Sequence, residues 1–246
     1  MQWWFNPKER QACTGPDFNE HQRQAILDVI TVHEAPEGTE PRPARPVHEV
    51  ALTCGTDQIQ VVLALMVWQL LNYRASKMAR LNDTRFTSHF LLVAHHACVR
   101  SRLFETLCGR VKVGDLGTRD FFTSDVVQLA PLLIPETRRE EVLGFVRAHA
   151  GSGTRSLRQT QADGIVAITD GRVEALECLA RLPSDAMVFD DETRSPYCTR
   201  NEDITTGLAW RRHLRSVASS RNGSGVQIVF TQSPPATGAS GKVTKS

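Results

Sequence analysis

The chain has 246 residues, of which 41% are apolar, enough to bury the core of one large α/β domain or two small ones. The net charge of +2 is close to neutral, so nucleic-acid binding would need a local basic surface. No segment reaches the roughly 20 apolar residues that span a bilayer, and the N-terminus lacks the features of a signal peptide. We therefore expect a soluble, cytoplasmic protein with no membrane partner.

Six cysteines are scattered along the chain, at positions 13, 54, 98, 108, 178 and 198. No two of them form a Cys-x-x-Cys pair, and no histidine stands at a zinc-ligand spacing from them. The pattern favours reduced thiols that fill the core over a metal site or a disulfide framework.

The first third of the chain contains one strongly patterned region between two irregular ones. Residues 1–18 are expected to form a loose leader, and the amphipathic spacing of residues 19–32 predicts a helix. Four prolines exclude regular structure from residues 35–46. A short apolar strand at 48–52 and a long apolar helix over about 60–73 follow, separated by the loop 53–59.

The remaining elements alternate between strands and helices. Continuous apolar runs predict buried strands at 90–94, 164–168, 186–190 and 226–230. Helical spacing predicts helices at 98–107, 136–150, 172–181 and 208–219, while 118–133 is a mixed segment and 77–88 a polar loop. The tail 236–246 is expected to be disordered. This alternation predicts βαβ units and a mainly parallel sheet.

Residues 51–62 have the frame of a phosphate-binding loop. A strand runs into a turn of small residues and then directly into a helix, the context in which backbone N–H groups bind phosphate. A working loop ends in Gly-Lys-Ser/Thr, but these three positions hold Asp57, Gln58 and Ile59. The segment therefore has the backbone pattern of a nucleotide site without its principal side chains.

An acidic pair, Asp191 and Glu192, follows the predicted strand 186–190. Acids at the carboxyl end of a buried parallel strand face the ligand crevice of such a sheet. In a nucleotide-hydrolysing site the first carboxylate helps to hold Mg²⁺ and the second orients the attacking water. The alternative is that the two acids are simply solvated in a turn. This alternative is less favoured because the acidic pair comes after a phosphate-loop frame, which is the order expected in a nucleotide site.

Six segments in order carry a resemblance to one family: 19–25, 53–59, 90–96, 165–169, 191–194 and 230–234. Together they resemble the first RecA-like lobe of superfamily-two helicases, most closely the DEAD/DEAH-type helicase subunit of type III restriction enzymes. No single one of these motifs is specific for the family, but the order of all six is. The resemblance covers residues 19–235.

The resemblance implies a nucleotide site built from the first two segments. Gln22 stands where the family has the glutamine that recognises adenine. The phosphates would lie on the loop formed by Thr53, Gly55, Thr56, Asp57, Gln58 and Ile59. Relative to the family, Gln58 removes the lysine cation, Ile59 removes the Mg²⁺-binding hydroxyl, and Asp57 replaces a glycine.

The resemblance also implies catalytic and DNA-contacting residues. Asp191 would hold Mg²⁺ and Glu192 would act on water, although Arg194 replaces the histidine that ends the family's box. The DNA-contact candidates are His96, Arg100 and Thr169, and the coupling motif, altered at its last two positions, is Thr231, Gln232 and Ser233.

The implied fold is α/β, a three-layer P-loop (RecA-like) domain with a mainly parallel sheet. The implied function is that of an ATP-dependent DNA helicase or translocase that uses ATP with Mg²⁺. Because of the altered loop, and because the family's second lobe is not among these residues, we expect little ATP hydrolysis by this chain alone. Three alternatives stay open: a nucleotide-binding pseudoenzyme that regulates a partner, a DNA-binding module that binds no nucleotide, and a lobe completed in trans by a second half or a restriction-system subunit.

Overall fold

The computed structural model of the chain describes residues 18–34, 47–52, 55–80, 86–94, 97–150, 165–169, 187–191 and 227–232. The strands in these ranges are β1 (Val47–Leu52), β2 (His89–Ala94), β3 (Arg110–Lys112), β4 (Asp115–Asp120), β5 (Ile165–Thr169), β6 (Met187–Asp191) and β7 (Gln227–Gln232). The helices are α1 (Glu20–Glu34), α2 (Gly55–Met78), α3 (Ala97–Cys108), α4 (Asp125–Leu133) and α5 (Glu136–His149), with a short 3-10 helix at Phe121–Thr123.

Five of the strands form one parallel sheet in the order β1-β7-β6-β2-β5. They are the five strands predicted from the apolar runs, and each observed boundary lies within two residues of the predicted one. In β2, Phe90 to Ala94 are all buried. Such a run, without polar alternation, is typical of a strand covered on both faces. The predictions of an α/β class and a mainly parallel sheet are therefore confirmed.

Helix α2 forms the centre of the core. Residues Val61 to Leu70 are all buried, so this middle part of the helix is enclosed around its whole circumference. It packs against α1, α3, α4 and α5 and contacts β1. Its buried Trp68 meets Phe86 edge to face, with ring centroids 5.7 Å apart, and its buried Gln69 accepts a hydrogen bond from the Thr87 backbone N–H at 3.1 Å. These contacts fasten the start of β2 to the core.

Helix α2 is longer than the sequence predicted at both ends. It begins at Gly55, where the phosphate-loop frame predicts a loop up to residue 59, and it ends at Met78. At its N-terminal end, Asp57, Gln58 and Ile59 stand where a phosphate loop carries glycine, lysine and threonine. Asp57 favours a helix more than the glycine of a phosphate loop does, and Ile59 favours a helix at least as well as threonine does, because glycine and threonine have low helix propensities. The predicted helices 172–181 and 208–219 lie outside the described residues.

A small antiparallel hairpin, β3–β4, is the element that the sequence analysis missed. The mixed segment 118–133 is divided into the end of β4, the 3-10 helix and α4. Two glycines with φ of +87°, Gly109 and Gly114, bound strand β3. Asp120 then starts the 3-10 helix by accepting a hydrogen bond from the Phe122 backbone N–H at 3.2 Å.

None of the helices in the described ranges combines the length and the apolarity needed to cross a bilayer.

Candidate functional site

The strand ends that carry the motif-like segments lie along one edge of the sheet. Because all five strands are parallel, their carboxyl ends point the same way. Phe230 of β7 is in register with Val50 of β1 on one side and with Asp191 of β6 on the other. Two strand spacings, or about 10 Å, therefore separate the Val50 and Asp191 backbones.

Several predicted site residues lie at this edge. Asp191 ends β6, Thr169 ends β5, and Thr231 and Gln232 end β7. Gly55, Thr56 and Asp57 form the first turn of α2, which follows β1 after two residues. The structure therefore brings the ends of β1, β7 and β6 side by side, with β7 in the middle. The predicted residues that lie outside the described ranges are Thr53, His96, Glu192 and Ser233.

Gln22 is buried, with 2% of its surface exposed, and its carboxamide has structural partners. The Asn19 side-chain oxygen accepts the backbone N–H of Gln22, and the Gln22 side-chain oxygen accepts the backbone N–H of Asn19, both at 2.9 Å. This reciprocal pair is a capping box, which satisfies two otherwise unpaired donors at the start of α1. The Gln22 side-chain nitrogen donates to Gln60 of α2 at 2.7 Å. Recognition of adenine by Gln22 would require exchange of these bonds.

Gln58 and Ile59 are also buried, at 4% and 6% exposure. With Val62 of the same helix they line a small cavity of about 20 Å³, and the other walls come from β2, α3 and β6: Leu92, Val93, Val99, Leu103 and Phe189. At positions 58 and 59, where the family places a phosphate-binding lysine and a Mg²⁺-binding hydroxyl, this chain therefore packs side chains between the sheet and α3.

The expected loop 53–59 is corrected by this structure. Helix α2 begins at Gly55, so the connection from Leu52 consists of residues 53 and 54 only. The first turn of a helix offers backbone N–H groups without intrahelical acceptors, and the helix dipole favours an anion there. The connection is short for a loop that would enclose a phosphate, because five of its seven expected residues are helical.

Among the basic residues that the structure describes, Arg100 is the one that follows the end of a strand of the five-stranded sheet most closely along the chain. It lies in the first turn of α3, which begins at Ala97 just after β2 ends at Ala94, and it is half-buried. Thr169 is in register with Val93 of β2. Of the two predicted DNA-contact residues that the structure describes, Arg100 therefore follows β2 and Thr169 ends the neighbouring strand β5.

Titratable and metal-binding groups add little chemistry to the described part of the site. Burial raises the pKa of the Cys108 thiol to about 11, and Arg119 opposes this change with a smaller effect. Cys108 ends α3, away from its first turn at the sheet edge, and a raised pKa disfavours the reactive thiolate. Within the described ranges, no three His, Cys, Asp or Glu side chains are grouped so that they could hold a metal ion.

Comparison with known proteins gives no relative for this chain: no family model, no curated protein and no solved structure matches it.

Proposed function

We propose that this chain is a RecA-like, three-layer P-loop domain of the superfamily-two helicase type, the first lobe of a restriction-type DNA translocase whose ATP turnover is impaired. Its ligand would be ATP with Mg²⁺ and its macromolecular partner DNA. A separate second helicase lobe or another restriction-system subunit would complete the active unit.

The observation that carries this proposal is the position of β7 between β1 and β6. The nucleotide phosphates would lie over the N-terminus of α2 after β1, and the Mg²⁺-binding carboxylate would be Asp191 at the end of β6. The spacing of about 10 Å between these strands suits a phosphate–Mg²⁺ unit that reaches from one to the other. Thr231, from the coupling motif, ends the strand between them.

Impaired turnover follows from the residues at positions 57–59. Gln58 cannot supply a cation to the phosphates, Ile59 cannot ligate Mg²⁺, and Asp57 adds a negative charge. One preorganised polar contact to the reacting group is worth about 3 kcal/mol, which is about two orders of magnitude in rate. The three effects share one site and do not add simply, but all three act against a bound phosphate.

A second candidate, a DNA-binding module that binds no nucleotide, is favoured by a different observation. Gln22, Gln58 and Ile59 are all buried and packed against other elements. With these side chains packed in the interior, the chain would keep the proposed lobe without a nucleotide site.

Nucleotide titration of two proteins tests the proposal. The first is the natural chain, and the second carries Asp57→Gly, Gln58→Lys and Ile59→Thr together. We expect weak ATP binding by the natural chain and a gain of Mg²⁺-dependent affinity in the triple variant, which Asp191→Asn should remove. Phosphate release is measured with DNA, with and without an added second lobe. Its rate should stay well below about 1 s⁻¹, which is the slow end of the range for ordinary kinases.

Thermal unfolding of each variant controls for stability, because Ile59→Thr removes apolar contacts in the core. If the triple variant is unstable, the double variant Asp57→Gly/Gln58→Lys keeps Ile59 and tests the same gain. Absence of any gain in affinity would favour the module that binds no nucleotide. DNA-stimulated turnover near 1 s⁻¹ by the natural chain would contradict the impaired active site.

A further inference from the structure

The start of α1 borders the nucleotide site that we propose. Gln22, in the first turn of α1, is hydrogen-bonded to Gln60 of α2, and Gln60 lies one helical turn after Thr56. The phosphates would lie over the first turn of α2, so the base of a bound nucleotide could reach α1. The side chains at this end of α1 therefore bear on whether the site can recognise a base.

The Gln22 carboxamide is bonded to protein groups at both of its polar atoms. Its Oε1 accepts the Asn19 backbone N–H at 2.9 Å, and its Nε2 donates to Oε1 of Gln60 at 2.7 Å. The second lone pair of Oε1 and the second hydrogen of Nε2 are enclosed as well, because only 2% of the residue is exposed. A nucleobase edge could pair with this carboxamide only after both bonds were broken and the side chain had turned outward.

The residues that precede Gln22 are engaged in the protein interior or in the helix cap. Phe18 is buried and belongs to the hydrophobic core that contains Ala25 and Ile26, so its ring offers no open face on which a base could stack. Asn19 is exposed, but its side-chain oxygen accepts the Gln22 backbone N–H at 2.9 Å. Phe18 and the Gln22 carboxamide therefore fasten the start of α1 to the core.

Exchange of these hydrogen bonds for bonds to adenine offers no gain in free energy. Adenine would replace two bonds with two, while the Asn19 backbone N–H and the Gln60 side chain, both partly buried, would lose their partner. Leaving such a donor or acceptor unpaired costs more than a typical hydrogen bond contributes. The capping box at the start of α1 would be lost as well. Internal bonding of Gln22 is therefore favoured over recognition of a base.

We propose that this site binds nucleoside triphosphates through their phosphates and Mg²⁺ without selecting the base. The inference rests on the proposed function and names its ligand class, in which ATP is one nucleoside triphosphate among several. Gln22 links α1 to α2 and makes no contact with the base. Because the phosphate contacts are the same for every base, the affinities for ATP, GTP and CTP should be alike.

The test is a set of equilibrium titrations with ATP, GTP and CTP in the presence of Mg²⁺. The protein is the full chain carrying Asp57→Gly, Gln58→Lys and Ile59→Thr, because the natural chain is expected to bind weakly. We expect the three dissociation constants to agree within about threefold, whereas a carboxamide that pairs with the base would favour ATP by on the order of tenfold or more. Asp191→Asn should weaken binding of all three to the same extent, which identifies one common site.

Gln22→Ala in the same chain separates the structural role of this residue from a role in base recognition. We expect it to lower the unfolding temperature and to leave the ratio of ATP to GTP affinity unchanged. Gln24→Ala, at an exposed position of the same helix, is the matched control and should leave both quantities close to their starting values. The ratio measured with Gln22 intact decides the inference even if Gln22→Ala does not fold.

A larger preference for ATP would overturn the inference, whether or not Gln22→Ala removes it, since some residue of the chain would then recognise adenine. Binding that Asp191→Asn leaves unchanged would overturn it too, because the nucleotides would then bind elsewhere. The proposed function is judged by a different quantity, the Mg²⁺-dependent gain in affinity over the natural chain. If that gain is present and ATP is preferred, the proposed function stands and the inference fails; if no nucleotide binds, both fail.

Discussion

Gln22 links the start of α1 to α2 through its backbone and its side chain. It closes the capping box with Asn19 and donates to Gln60, and it is almost completely buried. The resemblance to helicases assigns the same residue to adenine, so structural and ligand-binding roles compete for one carboxamide. Each role makes a different prediction for the same substitution.

We expect Gln22→Ala to lower the free energy of unfolding by about 1–3 kcal/mol, because a helix cap and a buried hydrogen-bond partner are lost together. Urea unfolding monitored by circular dichroism measures the change. Gln24→Ala on the exposed side of α1 is the control; it loses a single exposed bond to Asp28 and should cost less than about 0.5 kcal/mol. If Gln22→Ala weakened ATP binding without changing stability, the structural role would be wrong.

The two cysteines of α3 should differ in reactivity. Cys98 is exposed at the start of the helix, whereas burial raises the pKa of the Cys108 thiol from 9.0 to about 11. Alkylation at pH 8, followed by mass mapping of the modified peptides, should label Cys98 well before Cys108, since the thiolate is the reactive form. Labelling of both at equal rates in the folded protein would show that Cys108 is not shielded.

The same pKa change predicts a dependence of stability on pH. The folded chain holds the Cys108 proton more tightly than the unfolded chain does, so this contribution to stability is fully present below pH 9. It is lost as the pH rises from 9 through about 11. A Cys108→Ala variant should show less of this alkaline loss than the natural chain in urea titrations over that range.

At the level of secondary structure, the junction between α3 and the hairpin depends on Gly109. This residue has φ of +87°, and a Cβ built there would lie 1.8 Å from the Asp120 carbonyl oxygen. Gly114, at the hairpin turn, has the same φ but would place its Cβ in open space. Substitution of Gly114 therefore measures the cost of backbone strain alone, whereas substitution of Gly109 adds the cost of steric overlap.

We expect Gly114→Ala to cost about 1 kcal/mol, the price of left-handed backbone for a residue with a Cβ. Gly109→Ala should cost roughly 3 kcal/mol or more, because the hairpin must also move away from α3. Chemical denaturation of the two variants measures the difference. Equal losses would mean that the contact between Gly109 and Asp120 is easily relieved.

At the level of the whole molecule, β7 joins segments that are far apart in the sequence. It pairs with β1 from the first quarter of the chain and with β6 from the last third. Strand β1 pairs with β7 alone among the described strands, so its place in the sheet depends on residues 227–232. The sheet edge of the proposed nucleotide site is therefore complete only when this late segment has folded.

Ile228→Pro tests this dependence. Residue 228 is in register with His48 on one side and Phe189 on the other, and proline removes a ladder N–H and leaves an acceptor unpaired. We expect a loss of roughly 2–4 kcal/mol in the free energy of unfolding. Val47→Pro, at the first residue of the terminal strand β1, should be much milder, because proline is tolerated at strand starts and edges. Equal tolerance of both prolines would argue against the central position of β7.

Local patterns in the sequence were sufficient to predict most of the elements. The five strands follow from short apolar runs, because a strand covered on both faces needs no polar alternation. The centre of α2 follows from the apolar run 61–71, which is too long for a typical strand and too short to span a membrane. The hairpin was missed because β3 is exposed on both faces and therefore lacks a one-sided apolar pattern.

Strand order and side-chain burial depend on packing between distant segments. The alternation of strands and helices indicates parallel pairing, but it does not specify that β7 separates β1 from β6, since that choice depends on contacts across most of the chain. Motif spacing placed Gln22 and Gln58 at a nucleotide site, whereas their burial against Gln60 and the β2–β6 region arises only once α1, α2 and the sheet are assembled. A buried polar side chain forms hydrogen bonds with the groups that the tertiary fold brings close to it, so its partners cannot be read from motif spacing.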